Sequence, residues 1–167
     1  MKFLILLGIF LFSKCQNLKG RALLEENAIA IINSDDELAL REATKNLRKS
    51  GGYIYIDTPV ITLTQKGIVL GGTIGGGIIG VKQPNGQYPI LDCKPLREIY
   101  SGFNGLDILG DHLKVQNLII ENAPCYGIFI SGKNNIINHV ITRYNGESGI
   151  YSNSQSDYIT FNYCYSY

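Results

Sequence analysis

Tryptophan is absent from the 167-residue chain, methionine occurs once and histidine twice. Cysteine is also scarce, at four residues. That is too few for a disulfide-stapled miniprotein. The cysteines show no Cys-x-x-Cys pair or Cys/His spacing of the kind that holds zinc. A basic surplus is missing too: 15 Lys and Arg stand against 14 Asp and Glu. Nucleic-acid binders usually carry such a surplus, so nucleic acid is not expected as a partner. Long apolar runs are limited to Phe3–Phe12. That run is too short to span a bilayer, so no membrane partner is expected. No Asn-x-Ser/Thr glycosylation acceptor occurs.

What is present begins with that apolar run. It follows a basic start, Met1-Lys2, and precedes Ser13-Lys14-Cys15, which places small residues three and one before a cleavage site. This layout predicts a secretory signal peptide over residues 1–15, and hence an extracellular protein. Removing Lys2 and Lys14 from the 15 basic residues leaves 13 against 14 acidic ones, a net charge of −1. Such a balance leaves room for a local patch that binds a polyanionic sugar. Cys93, Cys125 and Cys164 then remain; being odd in number they form at most one bridge, and each is expected as a buried free thiol.

Residues 16–33 read as a lead-in, a short helix or a loosely packed segment. Ser34 and Glu37 form a capping-box pattern, and Leu38, Leu40, Ala43 and Leu47 recur at helical spacing. Arg48-Lys49 suit the last turn and Gly51-Gly52 stop it, so residues 34–50 are expected to be an amphipathic helix. From residue 51 to 167 only short strands separated by turns follow. Gly75–Gly80 matches G-x-G-x-x-G, but a turn at Pro84-Asn85-Gly86 follows it instead of a helix. A dinucleotide site needs that helix, so the glycines are read as a tight corner.

A repeat decides the fold class. Gly105-Leu106-Asp107-Ile108, Gly127-Ile128-Phe129-Ile130 and Gly149-Ile150-Tyr151-Ser152 begin 22 residues apart. Val115-Gln116-Asn117-Leu118 then corresponds to Ile137-Asn138-His139-Val140 and to Phe161-Asn162-Tyr163-Cys164. Units this short, without helices, predict an all-β, right-handed parallel β-helix whose coils stack about 4.8 Å apart. Leu106, Ile108, Ile128 and Ile130 should share an inward face. Val115 and Leu118 should stack on Ile137 and Val140, with Cys164 in line with Val140. Gln116, Asn138 and Asn162 should align as an amide ladder, and the helix should cap the N-terminal end of the stack.

The residues 65–167 also resemble the family 9 polysaccharide lyases of the pectin-lyase-like superfamily. Asn135-Ile136-Ile137-Asn138, Asn145-Gly146-Glu147-Ser148-Gly149-Ile150 and Asn162-Tyr163-Cys164-Tyr165-Ser166-Tyr167 resemble that family's coil motifs, and Gly71–Asp92 its early coil. The resemblance implies calcium-assisted β-elimination on pectic polysaccharide by a monomer, with a lysine as the base. It also implies that an aspartate in the last motif helps to hold calcium. Tyr165 stands at that position, and the other family ligands are expected beyond Tyr167, so the chain reads as a C-terminally truncated fragment. No catalytic or metal residue is carried over.

Arg143, Tyr144 and Glu147 remain as candidates for binding a sugar acid at an exposed corner. His139 is the best titratable group in the strands. Tyr144, Tyr151, Tyr158, Tyr163 and Tyr165 are candidates for a sugar-stacking platform. Two other functions compete: a non-catalytic β-helix that binds polysaccharide, and a polygalacturonase-type hydrolase or epimerase. The hydrolase needs paired aspartates, whereas Asp35-Asp36 reads as helix capping.

Overall fold

The computed structural model describes residues 28–72 and 75–167. The expected signal peptide lies outside the described residues, as does most of the lead-in. The described residues form a parallel β-helix with one α-helix before most of its strands. Strands β1 (Ala28–Ile32), β2 (Tyr53–Ile56), β3 (Val60–Thr62) and β4 (Ile68–Leu70) come first, with α1 (Glu37–Ser50) between β1 and β2. There follow β5 (Gly76–Gly80), β6 (Ile90–Asp92), a 3-10 turn at Lys94–Glu98, β7 (Leu106–Ile108) and β8 (Leu113–Glu121). The last strands are β9 (Ile128–Ile130), β10 (Ile136–Arg143), β11 (Ile150–Ser152), β12 (Thr160–Asn162) and β13 (Tyr165–Ser166). Among the described residues all strand pairs are parallel. One sheet runs β1-β2-β5-β8-β10-β12, with β3, β6 and β13 beside it; the second runs β4-β7-β9-β11. Among the described residues no helix is long and apolar enough to cross a membrane.

The 22-residue repeat appears directly as register. Ile137 pairs with Val115, Val140 with Leu118, and Ile141 with Ile119. In the second sheet Ile128 pairs with Leu106 and Ile150 with Ile128. Stacking like on like gives continuous apolar columns. Ile54, Ile78, Val115 and Ile137 form one, and Ile68, Leu106 and Ile128 another, every one of them fully buried. Burying each such side chain stabilises the fold by about 1.5–3 kcal/mol before chain entropy is counted. The corners stack as well. Asn117, His139 and Tyr163 all have φ near +55°, at 57, 52 and 51°, and so do His112, Asn134 and Tyr158 at 57, 56 and 53°. A left-handed residue bends the strand without breaking the ladder. Asn and His tolerate that conformation better than most residues, while Tyr adopts it here because the stack imposes it.

Several expectations are corrected. The helix N-cap is Asp36, whose Oδ1 accepts from Ala39 N at 2.8 Å; Ser34 lies outside the helix. Glu37 is therefore in the first turn, and its carboxylate is used elsewhere. The buried face is Leu40, Ala43, Thr44 and Leu47, while Leu38 is exposed. Residues 28–32 of the lead-in form β1, paired with β2. The glycine cluster is a strand and not a corner. A Cβ on Gly77 would lie 1.8 Å from Lys114 O, so position 77 of β5 packs against β8 only as glycine. Gln116, Asn138 and Asn162 share one register, but no amide ladder forms: Asn138 Oδ1 sits 3.0 Å from His139 Nδ1, and Gln116 Oε1 has no partner among the described residues. Loop residues supply side-chain bonds from coil to coil instead. Asn135, Asn145 and Asp111 each accept from a backbone N–H 22 residues away, at 2.8, 2.9 and 2.7 Å. Asx side chains in loops are free to reach along the axis, whereas those beside a left-handed residue bond locally. Cys93 is buried, Cys125 and Cys164 are half-buried, and all three are free. Burial pushes the Cys93 thiol well above its ordinary range.

Candidate functional site

Two regions carry polar and aromatic side chains on the outside of the coils. The first is the corner that ends β10. Register places Arg143 beside Glu121, and Arg143 Nε donates to Glu121 Oε2 at 2.6 Å. The guanidinium also lies 5.7 Å from the centre of the Tyr144 ring. Tyr144 has φ of 57°, which turns the chain, and its carbonyl accepts from Arg97 Nη2 of the 3-10 turn. Arg97 Nε bonds Asn122 O at 3.0 Å, so one arginine ties two successive corners together. Arg143 is thus already paired, and its role here is to hold the corner.

The structure separates Glu147 from Arg143. Glu147 and Tyr144 line one cavity of about 530 Å³, together with Asn145, Tyr165, Ser166 and Tyr167. The Glu147 carboxylate, however, is directed toward Cys125 and Tyr126, which precede β9. Hydrogen bonding to it raises the Tyr126 phenol. Burial, and then Glu147, raise the Cys125 thiol above its ordinary value.

The second region begins at Tyr126. The third residue of each repeat points outward from the second sheet, giving the column Val69, Asp107, Phe129, Tyr151. Tyr126 and Tyr151 stack with centroids 4.6 Å apart and planes 9° apart, and Phe129 lies 5.9 Å from Tyr151 at 18°. Beside this ridge of parallel rings, Asn104 Nδ2 donates to Asp107 Oδ1 at 2.7 Å. Burial raises the Asp107 carboxyl above its ordinary value of 3.8, and the Asn104 bond only partly opposes this. A raised acid binds its proton more tightly in the folded state, so stability falls as pH rises from the unfolded to the folded pKa. Asp107→Asn is therefore expected to melt higher than the wild type at pH 7. The gain should vanish below the ordinary carboxyl range, and thermal melts at both pH values check this.

Of the tyrosines considered from sequence, Tyr151 belongs to this ridge. Tyr163 stacks on His139 at 4.7 Å, and Tyr88 meets His139 edge-on at 6.4 Å, on the other sheet. Tyr158 and Tyr165 are exposed. Sequence reasoning missed Tyr126, Phe129, Asn104 and Asp107. The signal for Asp107 and Phe129 lay in the repeat itself, at the position between its two inward residues. Among the described residues no three of His, Cys, Asp and Glu converge as metal ligands, and Tyr165 occupies the place of the expected aspartate. These residues do not fit calcium, and no chemical step is derived through it.

The comparisons with known proteins bear on this geometry. The chain is similar to pectate lyase L of Paenibacillus polymyxa, with 29% identity over 102 residues. That stretch covers 61% of this chain but only 21% of the relative, so the chain spans about a fifth of that curated protein's length. No protein-family profile matches the chain, and no solved structure does. The parallel coils and this similarity together fit a pectate-lyase-like fold. Fold and chemistry are separate questions, and the site has to carry the second.

Proposed function

We propose that this β-helix belongs to a secreted, pectate-lyase-like protein that acts on uronate-containing polysaccharide. In this reading a pectic chain lies along the outer face of the second sheet, and the protein works as a monomer. The observation that carries it is the ridge of Tyr126, Phe129 and Tyr151. It offers apolar ring surface running along the stack, flanked by the carboxylates of Asp107 and Glu147. Sugar rings present the complementary surface, C–H patches edged by hydroxyls that donate hydrogen bonds. The reaction in this reading is β-elimination, which rests on the similarity to a pectate lyase. Calcium enters it only as the family resemblance implies.

Titrating the chain with a galacturonate oligosaccharide by calorimetry tests the reading. Phe129→Ala and Tyr151→Ala are each expected to weaken binding about fivefold, corresponding to ~1 kcal/mol of lost ring contact. Wild-type affinity in both variants would remove the ridge from the binding face. Release of unsaturated product by the protein would support elimination, and saturated product would point to a hydrolase.

A further inference from the structure

The ridge presents two carboxylates, Asp107 and Glu147, to a polymer that is itself anionic. The cations stand beyond Asp107, at the α1 end of the column. The column of Val69, Asp107, Phe129 and Tyr151 begins in a groove of about 930 Å³ between α1 and β4, lined by Val69. Five basic residues line that groove, Arg41, Lys45, Arg48, Lys49 and Lys66, against one acid, Glu42. Arg41 is taken by Glu37, and Lys45 pairs with Glu42 at 2.9 Å. Arg48, Lys49 and Lys66 are exposed and make no ion pair among the described residues.

Two cations in the last turn of a helix are ordinary, since they suit its dipole. Two further observations exceed that explanation. Lys66 comes from the loop before β4, not from the helix, and faces the same groove. Arg48 has a seat: a Cβ on Gly71 would lie 3.2 Å from Arg48 Nε and 3.5 Å from Cζ, so the guanidinium rests on the bare backbone that follows β4. There it makes no hydrogen bond among the described residues and keeps its planar fork of donors, a shape that matches a carboxylate in two bonds.

We infer that the groove between α1 and β4 is a subsite for the carboxylates of an acidic sugar chain, with Arg48 as the paired donor and Lys49 and Lys66 flanking it. The inference rests on the ridge being a polysaccharide-binding face. It orients the polymer, placing acidic sugars at the α1 end and stacked sugars toward β11. From Val69 to Tyr151 the column spans three strand spacings, about 14 Å, which one oligosaccharide can bridge.

The test is calorimetric titration of the full chain with a galacturonate oligosaccharide and with its methyl-ester counterpart. The wild type should bind the acid form about tenfold more tightly, with an advantage that shrinks as salt rises. Arg48→Ala, and separately the double change Lys49→Ala with Lys66→Ala, should each remove about tenfold for the acid form and leave the ester unchanged. The double variant lies on exposed side chains and guards against a folding defect at Arg48, with the melting temperature as a check. Tyr151→Ala should weaken both ligands. Equal wild-type affinity for acid and ester overturns the groove and leaves the ridge standing, as does full acid affinity in both groove variants. Losses in the groove variants with none in Tyr151→Ala leave the groove and remove the ridge. No binding of either ligand by the wild type removes both. Complete displacement by inorganic sulfate at equal ionic strength overturns the assignment to a sugar acid.

Discussion

Glu37→Ala is expected to lower the unfolding free energy by about 3 kcal/mol. Glu37 is 8% exposed and joins α1 to the segment between β3 and β4. Its Oε2 accepts from Thr64 N at 2.8 Å and from Thr64 Oγ1 at 2.6 Å, and its Oε1 accepts from Arg41 Nε at 2.9 Å. Arg41 in turn donates to the carbonyls of Gly67, at 3.1 Å, and Lys66. Removing the carboxylate leaves a half-buried guanidinium without its counter-charge and the Thr64 N–H without its acceptor, and that loss is greater than the net strength of the ion pair. Neighbouring Asp35 binds Thr62 N at 2.6 Å in the same manner, so the start of α1 is pinned to the coil at two points.

The pH dependence has a definite sign. Burial works to raise the Glu37 carboxyl, but the bonds from Thr64 and Arg41 outweigh it and hold the group below its ordinary value of 4.5. Its contribution is therefore present above the unfolded value and is lost as pH falls through the folded one. Urea unfolding of the wild type and Glu37→Ala should differ most near neutral pH and converge in acid. A difference below 1 kcal/mol at pH 7 would show that the network does not hold the helix.

Asn135→Ala is expected to cost a similar amount, roughly 2–4 kcal/mol. Asn135 is fully buried; its Oδ1 accepts from Leu113 N at 2.8 Å, and its Nδ2 donates to Gly110 O at 2.9 Å. Both partners belong to the preceding coil, where the chain leaves the second sheet for β8. Alanine would leave a buried N–H and a buried C=O unsatisfied as well as a small void. Against the 5–15 kcal/mol of an ordinary domain this is a large fraction. Hydrogen exchange gives a local check: the Leu113 amide should lose protection in the variant. Retained protection and an unchanged denaturation midpoint would mean that another group takes over both bonds.

The residues involved show where sequence reasoning succeeded and where it stopped. The coil register was legible because an apolar position recurring every 22 residues has one arrangement that buries all its copies, as in Leu106, Ile128 and Ile150. The capping assignment went to Ser34 because Ser34 and Glu37 match a local pattern. In the folded chain Glu37 serves Thr64, a contact 27 residues away that no local pattern contains. Alignment of the repeats alone predicts an amide ladder. Register brings Gln116, Asn138 and Asn162 together, but side-chain torsions decide what they bond.

The candidate site divides in the same way. Arg143 and Glu147 are four residues apart and looked like one corner, yet β10 pairs the first with Glu121, while the turn at Tyr144 carries the second to Tyr126. By itself the sequence determined the coil length, the inward faces and the helix that precedes them, because those follow from periodicity and burial. Only the tertiary structure decided which outward residues meet. Stacking places Asp107, Phe129 and Tyr151 in one column and seats Arg48 on Gly71. Outward positions carry no burial constraint, so their neighbours are set by register and by the path of each corner, and neither is written in the local pattern of residues.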